Sequence, residues 1–220
     1  CLYIYFPRSI LLNSHTDFSL YIKEALLMIQ VLTNQDYKKM PWKNGLGFTL
    51  EVARSHGEGL ENFDWRVSIA DVKSAGSFSY FPNKRRIIGV LEGTGLTLQI
   101  DKNPQIRLLQ KQFHAFDGES EVYAELLEEA IRDFNLIYNP EKYLARLQWI
   151  DTPSTTSWVS HASQVIVFNL QGQLNLQVEE QPYQLNDFET LLVKKDTMPW
   201  GYIAAPENHG DFCVIELFER

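Results

Sequence analysis

From Met28 onward the chain breaks into short runs in which apolar and polar residues alternate, each stopped by Gly, Pro, Asn or Asp. A period of two marks an extended chain with one face turned inward, so this pattern constrains the fold more than any other feature. The runs are FTLEVA from Phe48, WRVSIADV from Trp65, RIIGVLEG from Arg86, GLTLQI from Gly95 and QIRLL from Gln105. Beyond Pro140 they resume as YLARLQWI, QVIVFNL, QLNLQV, FETLLVKK and CVIELF. The spacing predicts an all-β protein. VYAELLE from Val122 fits a strand and also a helix holding Leu126 and Leu127 inward.

The second half echoes the first. LTLQI from Leu96 has a near copy in LNLQV from Leu174; a Gly turn introduces each, and each leads to a further strand entered through Pro104 or Pro182. A repeated meander predicts two antiparallel barrels or sandwiches that close their own edges. We place the N-terminal lobe at 28–138 and the C-terminal lobe at 139–220. No low-complexity linker intervenes, so the lobes are expected to pack closely. Residues 1–27, interrupted by Pro7, Arg8, Asn13 and Asp17, read as an N-terminal extension of doubtful origin, neither signal peptide nor anchor.

Composition narrows the function classes. A chain of 220 residues, 45% hydrophobic, can bury a sizeable core. Its formal charge of -8 argues against a general binder of phosphate backbones, while leaving room for a pocket that concentrates positive charge. Two cysteines, Cys1 and Cys213, are too few for a disulfide framework and suit a cytoplasmic location; Cys213, inside FCVIELF, reads as a small buried hydrophobe. No run approaches the ~18 apolar residues of a membrane span. The expected partners therefore exclude nucleic acid and membrane, with a homodimer left open.

Three clusters carry the polar residues that strands do not explain. In WKNGLGFTLEVA, Asn44 before Gly45 makes a tight-turn pair, and Thr49 and Glu51 share one strand face. A plain hairpin accounts for the turn, but an inward Glu51 needs a partner or a ligand. In FDWRVSIADV, Trp65, Val67 and Ile69 fall on one face and Arg66, Ser68 and Ala70 on the other. Arg66 can offer its planar fork to Glu51 or to a bound acid, or simply face solvent beside a covering Trp. In SYFPNKRRIIG, Phe81 and Pro82 form a turn and alternation sends Arg85 and Arg86 to opposite sides. Asp133 and Asn135 share a face at strand spacing; a turn or capping pair is the plainer reading.

The five His residues form no HxH, HxxH or HExxH pair, and no Walker loop, GxSxG elbow, dinucleotide GxGxxG or CxxC is present. We expect no metal and no cofactor. Ser68 and Ser79 have no sequence-readable base, so nucleophilic catalysis is unsupported.

In order, WKNGLGFTLE (42–51), FDWRVSIA (63–70), GSFSYFPNKRRIIGVLEGTGLTL (76–98), FHAFDG (113–118) and DFNLIYN (133–139) resemble the HutD/Ves family. The likeness runs from Met28 to Arg220, strongest before Asn139. It implies a bicupin, two double-stranded β-helix lobes with no established enzyme chemistry, found beside histidine-degradation genes; other members respond to cold. Carried over position by position, it implies a pocket of Trp42, Asn44, Glu51, Trp65, Arg66, Ser68, Phe81, Arg86, Asp133 and Asn135. The chain departs from the family at Asn83, usually Gly, and at Leu46, usually a small residue. Asn tolerates the left-handed backbone, so the turn need not change.

These readings converge on non-catalytic or regulatory binding of a small carboxylated metabolite, for which the resemblance implies a histidine-degradation intermediate such as formylglutamate or urocanate. Arg66, helped by Arg86, would hold the carboxylate; Asn44 and Ser68 would orient polar atoms, Trp42 and Trp65 would form an apolar wall, and Glu51 would either fix Arg66 or accept from an amide or imidazole N–H. Two rivals are a metal-independent isomerase or hydrolase with Glu51 or Asp133 as general base, and a structural or regulatory protein-interaction module.

Overall fold

The computed structural model describes residues 2–5, 27–42, 47–59, 62–150, 156–195, 201–205 and 211–220, and every regular element among them is a strand. None of the described residues forms a helix long and apolar enough to cross a membrane. The chain divides into two units, Cys1–Thr33 with Ala145–Glu219, and Asn34–Leu144 with Arg220.

The chain starts with β1 (Leu2–Tyr5) and β2 (Leu27–Leu32), which pair antiparallel. The central unit then runs β3 (Lys38–Pro41), β4 (Phe48–Arg54), β5 (Trp65–Val72), β6 (Gly76–Ser77), β7 (Arg85–Glu92), β8 (Leu96–Ile100), β9 (Ile106–Leu108), β10 (Phe113–Asp117), β11 (Val122–Leu126) and β12 (Ile131–Tyr138). The rest of the chain supplies β13 (Tyr143–Ile150), β14 (Thr156–Ser160), β15 (Gln164–Gln171), β16 (Leu174–Val178), β17 (Gln181–Leu185), β18 (Thr190–Lys195), β19 (Gly201–Ala205) and β20 (Asp211–Glu219).

Each unit holds a larger and a smaller sheet of cupin-like layout. In the central unit the orders are β10-β7-β12-β5-β4-β3 and β6-β11-β8-β9; in the other they are β1-β2-β18-β15-β20-β13 and β14-β19-β16-β17. Replacing β5 by β13, β6 by β14 and β7 through β12 by β15 through β20 turns the run β10-β7-β12-β5 and the whole smaller sheet into their counterparts; the added pair differs, β4-β3 continuing from β5 and β2-β1 from β18. A bulge also repeats: the register slips between Arg132 and Asp133 opposite β7, and between Asn169 and Gln171 on β15, which leaves Leu91 and its counterpart Leu170 unpaired in the two ladders. Gly93 (φ 98) and Gly172 (φ 82) follow these bulges in the left-handed turn that returns the chain to β8 and β16.

Two assignments differ from the linear reading. The run from Met28 was placed with the N-terminal lobe, yet β2 pairs with β18, and Ile29 is 1% exposed in the apolar core of the other unit. Alternation shows that a run is a strand; which free sheet edge it joins depends on contacts distant in sequence. Within residues 1–27, Leu2–Tyr5 extends the same sheet as an edge strand. VYAELLE resolves as strand β11, because Val122 and Ala124 are buried between the sheets while Tyr123 and Glu125 face out.

The central core lies between its two sheets, where Ile88 and Val90 meet Leu96, Leu98, Val122 and Ala124. Strand β12 is flanked by β5 and β7 and is inaccessible along almost its whole length, so its polar residues are enclosed and need partners. Cys213 is fully buried in β20, and burial pushes its thiol far above the ordinary range.

Candidate functional site

Antiparallel register gathers the inward faces of four strands. Thr49 lies opposite Ala70, Ser68 opposite Asn135, and Ile137 opposite both Arg66 and Arg86. Residues directly opposite one another share a sheet face, so one surface presents Arg66, Ser68, Arg86, Asp133 and Asn135 together. The connection Ser74–Phe81 and the hairpin arm Met40–Trp42 complete the walls of a cavity of about 610 Å³. Trp42 is fixed there by its indole N–H, which donates to Thr49 Oγ1 at 2.9 Å. Its backbone N–H closes the hairpin on the Gly47 carbonyl at 2.9 Å.

The two inward arginines are held differently. Arg86 donates from Nη2 to Asn135 Oδ1 at 2.7 Å and from Nη1 to the Ser79 carbonyl at 3.1 Å. Its guanidinium also sits over the Phe78, Phe81 and Phe116 rings at 4.8 to 5.4 Å. Burial pushes its pKa down to about 10, against the pull of Asp133, so it remains charged near neutrality. Arg66 lies between Phe63 and Phe81, 4.9 and 5.3 Å from their centroids. It is 5% exposed, and its Nε and Nη1 groups are buried without a hydrogen-bond partner. Arg85, the sequence neighbour of Arg86, faces out and meets Asp117 at 3.6 Å.

Asp133 is 3% exposed, and its Oδ1 accepts the Ala70 N–H at 3.1 Å. Burial lifts its carboxyl to about 7, with Arg86 opposing the rise. Glu51 is buried on the same sheet face but stands outside the cavity lining, paired with Arg54 at 3.3 Å. The register slip between Glu51 and Ala53 brings Arg54 opposite Arg66, within reach of Glu51. Thus Glu51 does not hold Arg66 by hydrogen bonds; its charge acts on Arg66 through space.

Of the ten residues singled out by sequence, Trp42, Arg66, Ser68, Phe81, Arg86, Asp133 and Asn135 line the cavity. Trp65 does not: strand parity turns it to the opposite face from Arg66, where it is 2% exposed and its indole N–H has no partner. Its expected place in the apolar wall falls to Phe78 and Phe81. Asn44 and Leu46 lie outside the described residues. Asp133 and Asn135 occupy mid-strand positions of β12 and are not a capping pair. Asn83 adopts φ 56, a left-handed conformation that Asn tolerates, and its backbone N–H donates to Glu119 Oε1 at 2.9 Å.

Sequence reasoning did not place Ser77, Phe78, Ser79 and Tyr80 in the pocket that they line. Their signal was available as small polar and aromatic residues alternating between Gly76 and Pro82, but a connection of that composition also reads as an ordinary loop. Among the described residues no three His, Cys, Asp or Glu side chains converge as a metal site. His56 instead bonds Asp64 Oδ2 at 2.8 Å on the surface, and Lys142 meets the same oxygen at 2.9 Å.

The profile of the HutD family matches residues 34–208. This chain belongs to the HutD family. It is 45% identical over 193 residues to an uncharacterized 21.2 kDa protein in the hutC 3′ region of Pseudomonas putida, an alignment covering 87% of this chain and 98% of the relative. A conserved protein of unknown function from Pseudomonas aeruginosa PAO1 superposes with a TM-score of 0.82 at 40% identity, over 86% of this chain and 98% of that one. HutD from Pseudomonas fluorescens SBW25 superposes with a TM-score of 0.76 at 41% identity, over 87% and 99%. The family thus links the chain to proteins of the histidine-utilisation region, and the matched span contains the whole cavity lining.

Proposed function

We propose that the central unit binds a small carboxylated metabolite, an intermediate of histidine degradation such as formylglutamate or urocanate, in a binding or regulatory role without turnover. One observation carries this reading: Arg66 keeps buried, unpartnered N–H groups at a cavity of about 610 Å³. Desolvating a guanidinium costs several kcal/mol, and a structural arginine would recover that through a carboxylate partner. Arg66 has no hydrogen-bonded carboxylate in the fold, only the through-space pull of Glu51, whereas a ligand carboxylate would supply one with planar, charge-assisted geometry. Ser68 and Asn135 would orient the ligand's remaining polar atoms, with Trp42 and Phe81 as the apolar wall. The hutC-region relative and the relative named HutD support histidine degradation as the setting. We read the paired sheets of each unit as one double-stranded β-helix, the bicupin arrangement.

A thermal-shift titration against urocanate, formiminoglutamate, formylglutamate, glutamate and histidine tests the proposal, since a ligand that binds only the folded state raises its apparent stability. A saturable shift with one acid that disappears in Arg66→Ala is expected. An unchanged shift in that variant would overturn the assignment of Arg66. A second reading, a metal-independent isomerase or hydrolase, is favoured by Asp133, a cavity carboxyl poised near neutrality as a general base. Conversion of the binding acid, followed by proton NMR and abolished in Asp133→Asn, would select it.

A further inference from the structure

Asp133 is the carboxyl on the cavity wall, and its surroundings leave its charge incompletely answered. No salt bridge joins it to either inward arginine, and the donors it accepts from, the Ala70 N–H and the Asn135 side chain, are both neutral. Arg86, the cation that acts on it most strongly, directs two donors elsewhere, to Asn135 and to the Ser79 carbonyl. Arg66, with Nε and Nη1 unused, lines the same cavity, as does Arg86, whose Nε is also without a partner. An anion arriving at Arg66 would bring a second negative charge into the cavity that the Asp133 carboxylate also lines. Like charges so placed disfavour double ionisation, as when two carboxylates share a site.

Building on the carboxylate reading of this cavity, we propose that the acid and a proton bind together: Asp133 takes up a proton when an anion docks on Arg66. Protonation removes the repulsion and converts an acceptor into a hydroxyl donor that a ligand oxygen can use. A carboxyl already lifted to about 7 needs only a modest further rise to be protonated throughout the neutral range. The other charged groups acting here are Arg86 on β7, Arg66 and Asp71 on β5, and Glu51 on β4. Glu51 is committed to Arg54 and Asp71 to Arg132. His114 on β10 shares the inward face through its register with Ile88, and Tyr80 stands on the connection at the cavity wall. The facing sheet contributes Ala124 to the lining.

N-formyl-L-glutamate is the probe, because its carboxyls titrate well below pH 6 and its own charge stays constant from pH 6 to 8. Isothermal titration calorimetry of the full chain at pH 6, 7 and 8, in two buffers of different ionisation enthalpy, reads affinity and proton uptake together. Affinity is expected to rise about tenfold from pH 8 to pH 6, with fractional proton uptake on binding near and above pH 7. Asp133→Asn, which preserves an acceptor for the Ala70 N–H, is expected to bind with neither pH dependence nor uptake. Wild-type binding that is flat with pH and takes up no proton overturns this inference and leaves carboxylate recognition standing. A pH dependence that survives in Asp133→Asn assigns the proton to another group, His114 foremost, and also overturns it. Failure of the probe to bind at any pH removes both this inference and the formylglutamate reading.

Discussion

Counting back from the glycine turn that ends each strand, Arg86 in β7 holds the place that Val165 holds in β15. The cross-strand registers extend the match: Val90 faces Asp133 where Asn169 faces Phe212, and Ile88 faces Asn135 where Val167 faces Val214. Three polar groups of the cavity in the central unit thus correspond to Val165, Phe212 and Val214, all fully buried in the apolar core of the other. A charge stands there instead at another position, Glu216 in the place of Ile137. Glu216 is fully buried, and it is satisfied: Ser160 Oγ donates to Oε1 at 2.6 Å, Arg146 binds Oε2, and Lys195 donates to the neighbouring Ser160 carbonyl at 3.0 Å. One strand pattern therefore supports two kinds of interior. A buried charge with its partners in the fold is structural; a buried guanidinium without them is held in reserve for a ligand.

The comparison is broken most severely by giving the filled interior a cavity residue. Val214→Asp places a carboxylate where the matching cavity position carries Asn135 but where apolar side chains surround it, and is expected to cost about 3–5 kcal/mol, read from the urea midpoint.

The next largest effect concerns pH. Asp133 has a folded pKa of about 7, above its unfolded value, so the folded state retains a proton that the unfolded state has released. The sign follows from linkage: this stabilisation is complete below about pH 4 and is lost as pH rises through 7. Asp133→Asn should therefore gain stability relative to wild type between pH 5 and pH 8, by up to a few kcal/mol, in urea titrations at both pH values. Equal differences at the two pH values would show that Asp133 is ionised in the fold throughout.

Arg66→Leu separates stability from recognition. Loss of a charge-assisted contact should weaken binding of the acid by about 1.5–3 kcal/mol, roughly ten- to a hundredfold. Removal of a buried cation with no fold partner should leave stability unchanged or raise it by about 1–2 kcal/mol. A marked fall in melting temperature without ligand would make Arg66 structural, like Glu216. The smallest effect is expected from Thr49→Val, which removes the acceptor for the Trp42 indole and should cost about 1 kcal/mol in thermal unfolding.

Much of the site was legible because strand parity is strict. Alternation alone separates Arg66 and Ser68 from Trp65, and Arg86 from Arg85, and the structure follows that division. The inclusion of Trp65 beside Arg66 in one pocket broke the same rule, since adjacent residues of a strand face opposite ways. The pairing of Glu51 was not legible: a single bulge brings Arg54 to the position opposite Arg66, and a bulge has no signature in this sequence. The role of Ser77 to Tyr80 was likewise hidden, because backbone bonds such as Phe78 N–H to the Val122 carbonyl and Phe81 N–H to the Gly118 carbonyl hold that segment over the cavity, and both partners lie some forty residues away.

By itself the sequence determined the all-β character, the inward faces of the runs that alternate clearly, the repeated meander and the polar residues that no solvent-exposed strand would explain, because these follow from local periodicity and turn chemistry. Tertiary structure decided which strands became neighbours, that β2 joined the sheet of the C-terminal strands, that one interior was filled and the other left open, and that Arg66 was left without a partner. Those outcomes depend on register between segments far apart in the chain, where a shift of one residue exchanges every inward side chain for an outward one.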